Sequence, residues 1–127
     1  MLDAKVPELP TVAMQNLRKL LDAGITIVMG TDAGNIGTLH GPSILREMRL
    51  MQESGLTPLE VLRTATTNGA LVLGLEGETG VIAPDRLADL VVLDADPLVD
   101  TANLGSVYRV IKDGRVFEPA ALMDSIR

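Results

Sequence analysis

From residue 11 onward the apolar positions fall into a helical rhythm. Ala13, Leu17, Leu20 and Leu21 stand at i, i+4, i+7 and i+8, which predicts one buried face on a helix opened by Pro10 and Thr11. Gly24 is placed to end that helix. The period then changes, and Ile25 to Gly30 reads as a buried strand rich in β-branched residues. A second helical face, Ile44, Leu45, Met48 and Met51, begins after Pro42, a residue tolerated in a first turn because its missing donor would be unpaired there. Arg46 and Glu53 fall on its polar side, and Gly55 supplies the stop. Thr57-Pro58-Leu59-Glu60 has the form of a capping box, which predicts a third helix from Pro58 through Val61, Leu62 and Ala65. Asn68-Gly69 can break it, Ala70 to Leu73 resumes it and Gly74 closes it.

After Leu75 the pattern turns to strands: Gly80 to Ile82, Ala88 to Leu93, Val107 to Lys112 and Arg115 to Phe117. Asp113-Gly114 joins the last two as a tight hairpin needing positive φ angles. The change near Leu75 divides a helix-and-strand region, 1–75, from a β region, 76–127. Neither looks complete alone. One strand with three helices cannot close a parallel sheet, and three or four strands leave an apolar face uncovered.

With 127 residues, 46% of them hydrophobic, the chain can bury the core of one domain. Eleven basic against seventeen acidic residues give a net charge of -6, interspersed along the sequence, which argues against a nucleic-acid partner. The absence of cysteine excludes disulfides, thiolate metal sites and a cysteine nucleophile. Apolar runs such as Leu90 to Leu93 are too short for a bilayer, and Asp3 and Glu8 near Met1 do not suit a signal peptide. A cytoplasmic chain without membrane contact is the expectation.

The principal candidate for chemistry is Asp32, which follows the predicted strand in Gly30-Thr31-Asp32-Ala33-Gly34. The C-terminal tip of a buried strand is where barrel enzymes place metal ligands and general bases. The competing reading is a turn or cap aspartate that satisfies backbone amides. His40 lies in the glycine-rich loop 35–41 that leaves this tip, where it either reaches a substrate or stays as an exposed, locally bonded loop residue. Arg46 could meet an anionic substrate group. Gly30, Gly34 and Gly37 match neither phosphate-binding glycine pattern. Met14, Met29, Met48 and Met51 read as core filling, and Asp89, Asp94, Asp96 and Asp100 lack the spacing of a calcium loop.

Taken together and in order, several segments resemble the C-terminal part of the metal-dependent amidohydrolase superfamily, above all its imidazolonepropionase-like and prolidase-like members. They are Gly30 to Gly34, His40-Gly41, Arg46-Glu47-Met48, Gly55 to Leu62, Ala65-Thr66, Leu73-Gly74-Leu75, Gly80, Arg86 to Asp94, Asp96-Pro97 and Val110 to Gly114. The resemblance implies an α/β fold: the last strand and flanking helices of a (β/α)8 TIM-type barrel over 1–75, and the C-terminal strands of a composite β-sandwich over 76–127. It also implies that Asp32 both binds a divalent metal, zinc foremost, and passes a proton from the attacking water to the leaving nitrogen. That assignment is chemically coherent, since a metal lowers the pKa of bound water to about 7 and a nearby carboxylate can accept the proton. His40 would face a small-molecule amide or cyclic amide substrate.

The departures are informative. The family's first-strand His-x-His pair, its bridging lysine or glutamate and its two later histidines do not occur here, and the chain has a single histidine. A catalytic zinc takes about three protein ligands, and a barrel needs about 250 residues. The expectation is therefore a fragment of a hydrolase, inactive alone, with metal weakly bound or absent, whose partner is the missing N-terminal portion or a second copy. Asp85 stands where the family has glycine in a Glu-Pro-Gly-Lys-like turn, which predicts a different turn geometry at Ala83-Pro84-Asp85-Arg86. The alternative function is a non-catalytic α/β oligomerisation or interaction domain that buries its open sheet edges.

Overall fold

A computed structural model describes residues 11–125. Helix α1 (Thr11–Asp22) begins the described chain; Pro10, Asp3 and Glu8 lie outside it. Helices α2 (Pro42–Glu53), α3 (Pro58–Ala65) and α4 (Thr67–Leu73) follow. A three-stranded antiparallel sheet is then built from β1 (Leu90–Leu93), β2 (Val107–Lys112) and β3 (Arg115–Phe117) in that spatial order, with a short 3-10 helix at Thr101–Gly105 and a final helix α5 (Pro119–Ser125). The class is mixed α/β.

Local chemistry explains most of the boundaries. Gly24, Gly55 and Gly74 all take positive φ at or just beyond helix ends, as residues that close helices in the left-handed conformation do. The Thr57 capping box is complete: the Thr57 hydroxyl accepts from the Glu60 amide at 3.3 Å, and Thr57 N–H donates to Glu60 Oε2 at 2.8 Å. Arg18 of α1 adds a donor to the same Glu60 oxygen at 3.1 Å and also pairs with Asp22. At the hairpin, Asp113 (φ 51°) and Gly114 (φ 74°) supply two successive positive angles, which matches a tight two-residue turn. The Asp89 carboxylate accepts from Lys112 Nζ and from Asp113 N–H at 2.7 Å, fastening the approach to β1 onto that turn.

These bonds carry a pH dependence. The Thr57 amide, and then Arg18, hold the Glu60 carboxyl below the usual glutamate range, and Lys112 does the same for Asp89. An acid whose folded pKa is lowered stabilises the fold above its unfolded pKa, and that contribution disappears as pH falls through the folded value. The stability gap between the native chain and Glu60→Gln should therefore be full at pH 7 and close as the pH drops below the ordinary glutamate range. Denaturant unfolding at pH 7 and at successively lower pH reads this. Thr57→Ala should cost about 1 kcal/mol at neutral pH. A gap that does not change with pH would rule the carboxylate out as its source.

The core lies where α2 and α3 meet: Met48, Met51, Leu56 and Val61 are buried, with Leu17, Leu21, Ile27, Met29, Ala65 and Leu104 packed around them. Met29, Met48 and Met51 thus fill the core as expected, whereas Met14 of α1 is not part of it. Leu104 arrives from the 3-10 helix, and the buried Thr101 beside it donates its N–H to Gln52 Oε1 at 2.9 Å and its hydroxyl to the same oxygen. One glutamine of α2 therefore anchors the connection between β1 and β2.

Three expectations are corrected. Residues 25–30 and 80–82 do not form strands, because no described strand lies beside them to complete a ladder, and a strand exists only as half of a pair. Ile44 and Leu45 do not face the core; they are 41% and 43% exposed, while Met48 and Met51 on the same helix are buried. The face that would cover them is not supplied by the described residues. The break between α3 and α4 falls at Thr66 (φ -124°, ψ -89°), ahead of Asn68-Gly69. Asp85 adopts φ 63°, in the left-handed region that glycine favours.

Candidate active site

The segment 25–30 runs from the end of α1 to Asp32 and is held from outside rather than by a sheet. Ile25 N–H donates to the Leu20 carbonyl at 3.1 Å, the Asn68 side-chain amide donates to the Ile27 carbonyl at 2.8 Å, and Met29 N–H donates to the Thr64 carbonyl at 3.2 Å. From Thr26 onward burial alternates: Ile27 and Met29 pack on the core, whereas Thr26 and Val28 are exposed. This alternation is the one a strand would show, and it carries Asp32 out of the core at its end.

Asp32 is exposed and sits at φ 48°, in the left-handed region that aspartate enters more readily than most residues. Its Oδ2 accepts from Asn35 Nδ2 at 3.2 Å. The orientation of that carboxamide is fixed by its other end, because Asn35 Oδ1 accepts from Ile36 N–H at 2.8 Å. Thr38 closes the loop: its hydroxyl lies 2.9 Å from the Asp32 carbonyl and 3.1 Å from that of Asn35, and its own carbonyl accepts from Gly34 N–H at 3.0 Å. Asp32 Oδ1 makes no hydrogen bond among the described residues. The carboxylate is thus neither buried nor used up on main-chain amides, as a plain turn residue would be.

His40 returns across this loop. Its Nε2 lies 3.4 Å from where a Cβ on Gly34 would sit, so the imidazole rests against the turn two residues beyond Asp32. The ring is exposed and makes no hydrogen bond among the described residues. Arg46 is exposed on α2. Beside it, Glu47 is half-buried, and burial raises its carboxyl above the usual range against the pull of Arg46. Sequence reasoning passed over Asn35, although an asparagine three residues after an aspartate in a glycine-rich loop is a recognisable signal for a side-chain-closed turn.

The described residues contain no group of three or more histidine, cysteine or acidic side chains able to hold a metal ion. Asp32 and His40 therefore do not amount to a metal site on their own. No helix among the described residues is long and apolar enough to cross a membrane.

The loop thus carries an open carboxylate at the end of a core-backed segment, with an exposed histidine resting against the same turn. Comparison with known proteins defines the class. The Amidohydrolase family profile matches residues 7–117, and the chain belongs to that family. It is 38% identical over 106 residues to an imidazolonepropionase of Rubrobacter xylanophilus, covering 80% of this chain and 25% of that protein. It is 30% identical over 119 residues to an ochratoxinase of Aspergillus niger, covering 91% and 24%. Among solved structures, a Xaa-Pro dipeptidase with bound methionine in its active site superposes with a TM-score of 0.75 at 34% identity, over 83% of this chain and 25% of that one. The chain spans about a quarter of the length of these relatives. It is a fragment relative to them, from a hydrolase family whose members are generally metal-dependent.

Proposed function

We propose that the chain is the C-terminal part of a metal-dependent amidohydrolase that cleaves a carbon–nitrogen bond in a small amide, cyclic amide or dipeptide-like substrate. In this reading 1–75 contributes the last barrel strand with its helices, and 76–127 contributes strands to a small β-sandwich. Asp32 takes a proton from the attacking water and returns it to the departing nitrogen, and it is one ligand of a divalent metal, zinc foremost. The other ligands then belong to parts of the whole polypeptide outside this sequence. His40, lying over the same turn, faces the substrate. The setting is cytoplasmic, with neither nucleic acid nor membrane as partner.

The observation that carries this reading is the Asp32 turn: an exposed carboxylate with one oxygen tethered to Asn35 and the other open, at the end of a segment anchored in the core. The names of the relatives support the reaction class, since imidazolonepropionase and Xaa-Pro dipeptidase both denote hydrolases of carbon–nitrogen bonds.

The isolated 127-residue chain should retain substoichiometric zinc after dialysis and show no amidase activity, whereas the whole polypeptide should hydrolyse amides. Metal analysis and a panel of cyclic and dipeptide amides test both halves. Tight one-to-one zinc with turnover by the short chain would overturn the fragment reading. A second reading, a non-catalytic oligomerisation domain, is favoured by one feature: β1 is an edge strand of four apolar, uncharged residues, with Val91 59% exposed. A discrete, saturable oligomer of the isolated chain in sedimentation, together with an inactive whole polypeptide, would support it.

A further inference from the structure

The break between α3 and α4 coincides with two of the three hydrogen bonds that hold the approach to Asp32. Thr64 stands just before the break at Thr66 and Asn68 just after it. Thr64 is fully buried; its hydroxyl donates to the Val61 carbonyl at 2.7 Å and its own carbonyl receives Met29 N–H. Asn68 sends its side-chain amide across to the carbonyl of Ile27. The two bonds therefore grip residues 27 and 29 from one rigid point, where a sheet neighbour would otherwise do so. Without them the segment would keep only the Ile25 N–H bond to Leu20 at its start and side-chain packing to fix its height and rotation, and Asp32 lies three residues beyond Met29.

We infer that Asn68 is a positioning residue for Asp32: together with the Thr64 carbonyl it latches the 27–29 backbone onto the α3–α4 break and so sets where the Asp32 carboxylate stands. The functional meaning of this latch rests on the proposed role of Asp32, but the latch itself is a property of this chain. Serine or alanine at 68 would leave the Ile27 carbonyl, which is directed at the protein, without its donor. Asn68→Asp is nearly isosteric and replaces that donor by an oxygen, whereas Asn68→Gln keeps an amide on a longer arm.

The test uses NMR on the full 127-residue chain. In Asn68→Asp the Met29 amide should exchange with solvent about tenfold faster, as for loss of one hydrogen bond, while core amides of α2 and α3 keep their rates. The Cα and Cβ shifts that report the left-handed backbone of Asp32 should move, and Asn68→Gln should restore both. A uniform rise in exchange across α2, α3 and Met29, or unchanged Asp32 shifts, would overturn the inference. Should Asn68→Asp fail to fold, the native chain alone decides: a latched Met29 amide shares the protection of α3, and an unprotected one refutes the latch. In the whole polypeptide, Asn68→Asp should lower kcat with KM held within about twofold. An active Asp32→Asn variant measured alongside would remove the role of Asp32 and leave the exchange result standing, so the two failures are distinguishable.

Discussion

Replacing Asp32 by asparagine is expected to lower kcat of the whole polypeptide by about 10²- to 10⁴-fold, the range associated with a positioned proton acceptor and donor, while the fold survives. The choice of asparagine follows from the backbone. Asp32 holds φ 48°, and asparagine is the other non-glycine residue that enters this region at low cost. Alanine would mix left-handed strain with loss of the carboxylate and make the result ambiguous. Asparagine also keeps an oxygen to accept the bond that Asn35 donates at 3.2 Å, so the loop closure through Asn35 and Thr38 need not change. Because the side chain is exposed, the stability change should stay within about 0.5 kcal/mol. Steady-state kinetics beside a thermal melt reads both quantities. Turnover retained at the native level would take Asp32 out of the chemistry, and a collapse of the melt would mean that the turn depends on its charge.

What could be read from the sequence was set by how far each interaction reaches along the chain. The capping box at Thr57, the glycines that end three helices and the Asp113-Gly114 turn all depend on partners within a few residues, and each is found where its pattern predicts. The β2–β3 hairpin follows from its turn, with Lys112 opposite Arg115 and Val110 opposite Phe117. The predicted strands at 25–30 and 80–82 needed neighbours that the described residues do not provide. The same lack leaves Ile44 and Leu45 uncovered on a helix whose start at Pro42 was read correctly. Bonds such as Asn68 to Ile27 and Thr101 to Gln52 span 41 and 49 positions, and no local pattern announces them. For the candidate site, the place of Asp32 was legible because apolar strand-like residues followed by Gly-Thr-Asp mark a tip. Its orientation was not, since that depends on Asn35, whose role appears only once the loop is closed.

The largest stability effect expected of a single methyl group is at Gly80. Its backbone lies at φ 91° and passes so close to the α3–α4 break that a Cβ would stand 2.8 Å from Ala70 Cβ, 3.1 Å from the Thr66 carbonyl oxygen and 3.2 Å from Thr67 Cα. Two of these neighbours are backbone and the third is the Cβ of a buried residue, so none can swing aside as the end of a long side chain could. Left-handed strain of about 1–2 kcal/mol and overpacking of about 1–3 kcal/mol should together make Gly80→Ala about 2–5 kcal/mol less stable. For a chain of this length that lowers Tm by roughly 10 °C. Gly77→Ala is the control, because a Cβ there meets only Arg86 Nη1 at 3.8 Å, an ordinary contact, and its φ is not positive. The consequence should extend beyond stability. Thr66 and Thr67 flank the point from which Thr64 and Asn68 hold residues 27–29, so relief of the clash by movement of α4 would draw the Asn68 amide from Ile27. Gly80→Ala should therefore speed exchange of the Met29 amide more than that of Met51 in the centre of the core. If instead Gly80→Ala melts with the native chain, the segment after α4 can retreat freely, and Gly80 does not brace the break.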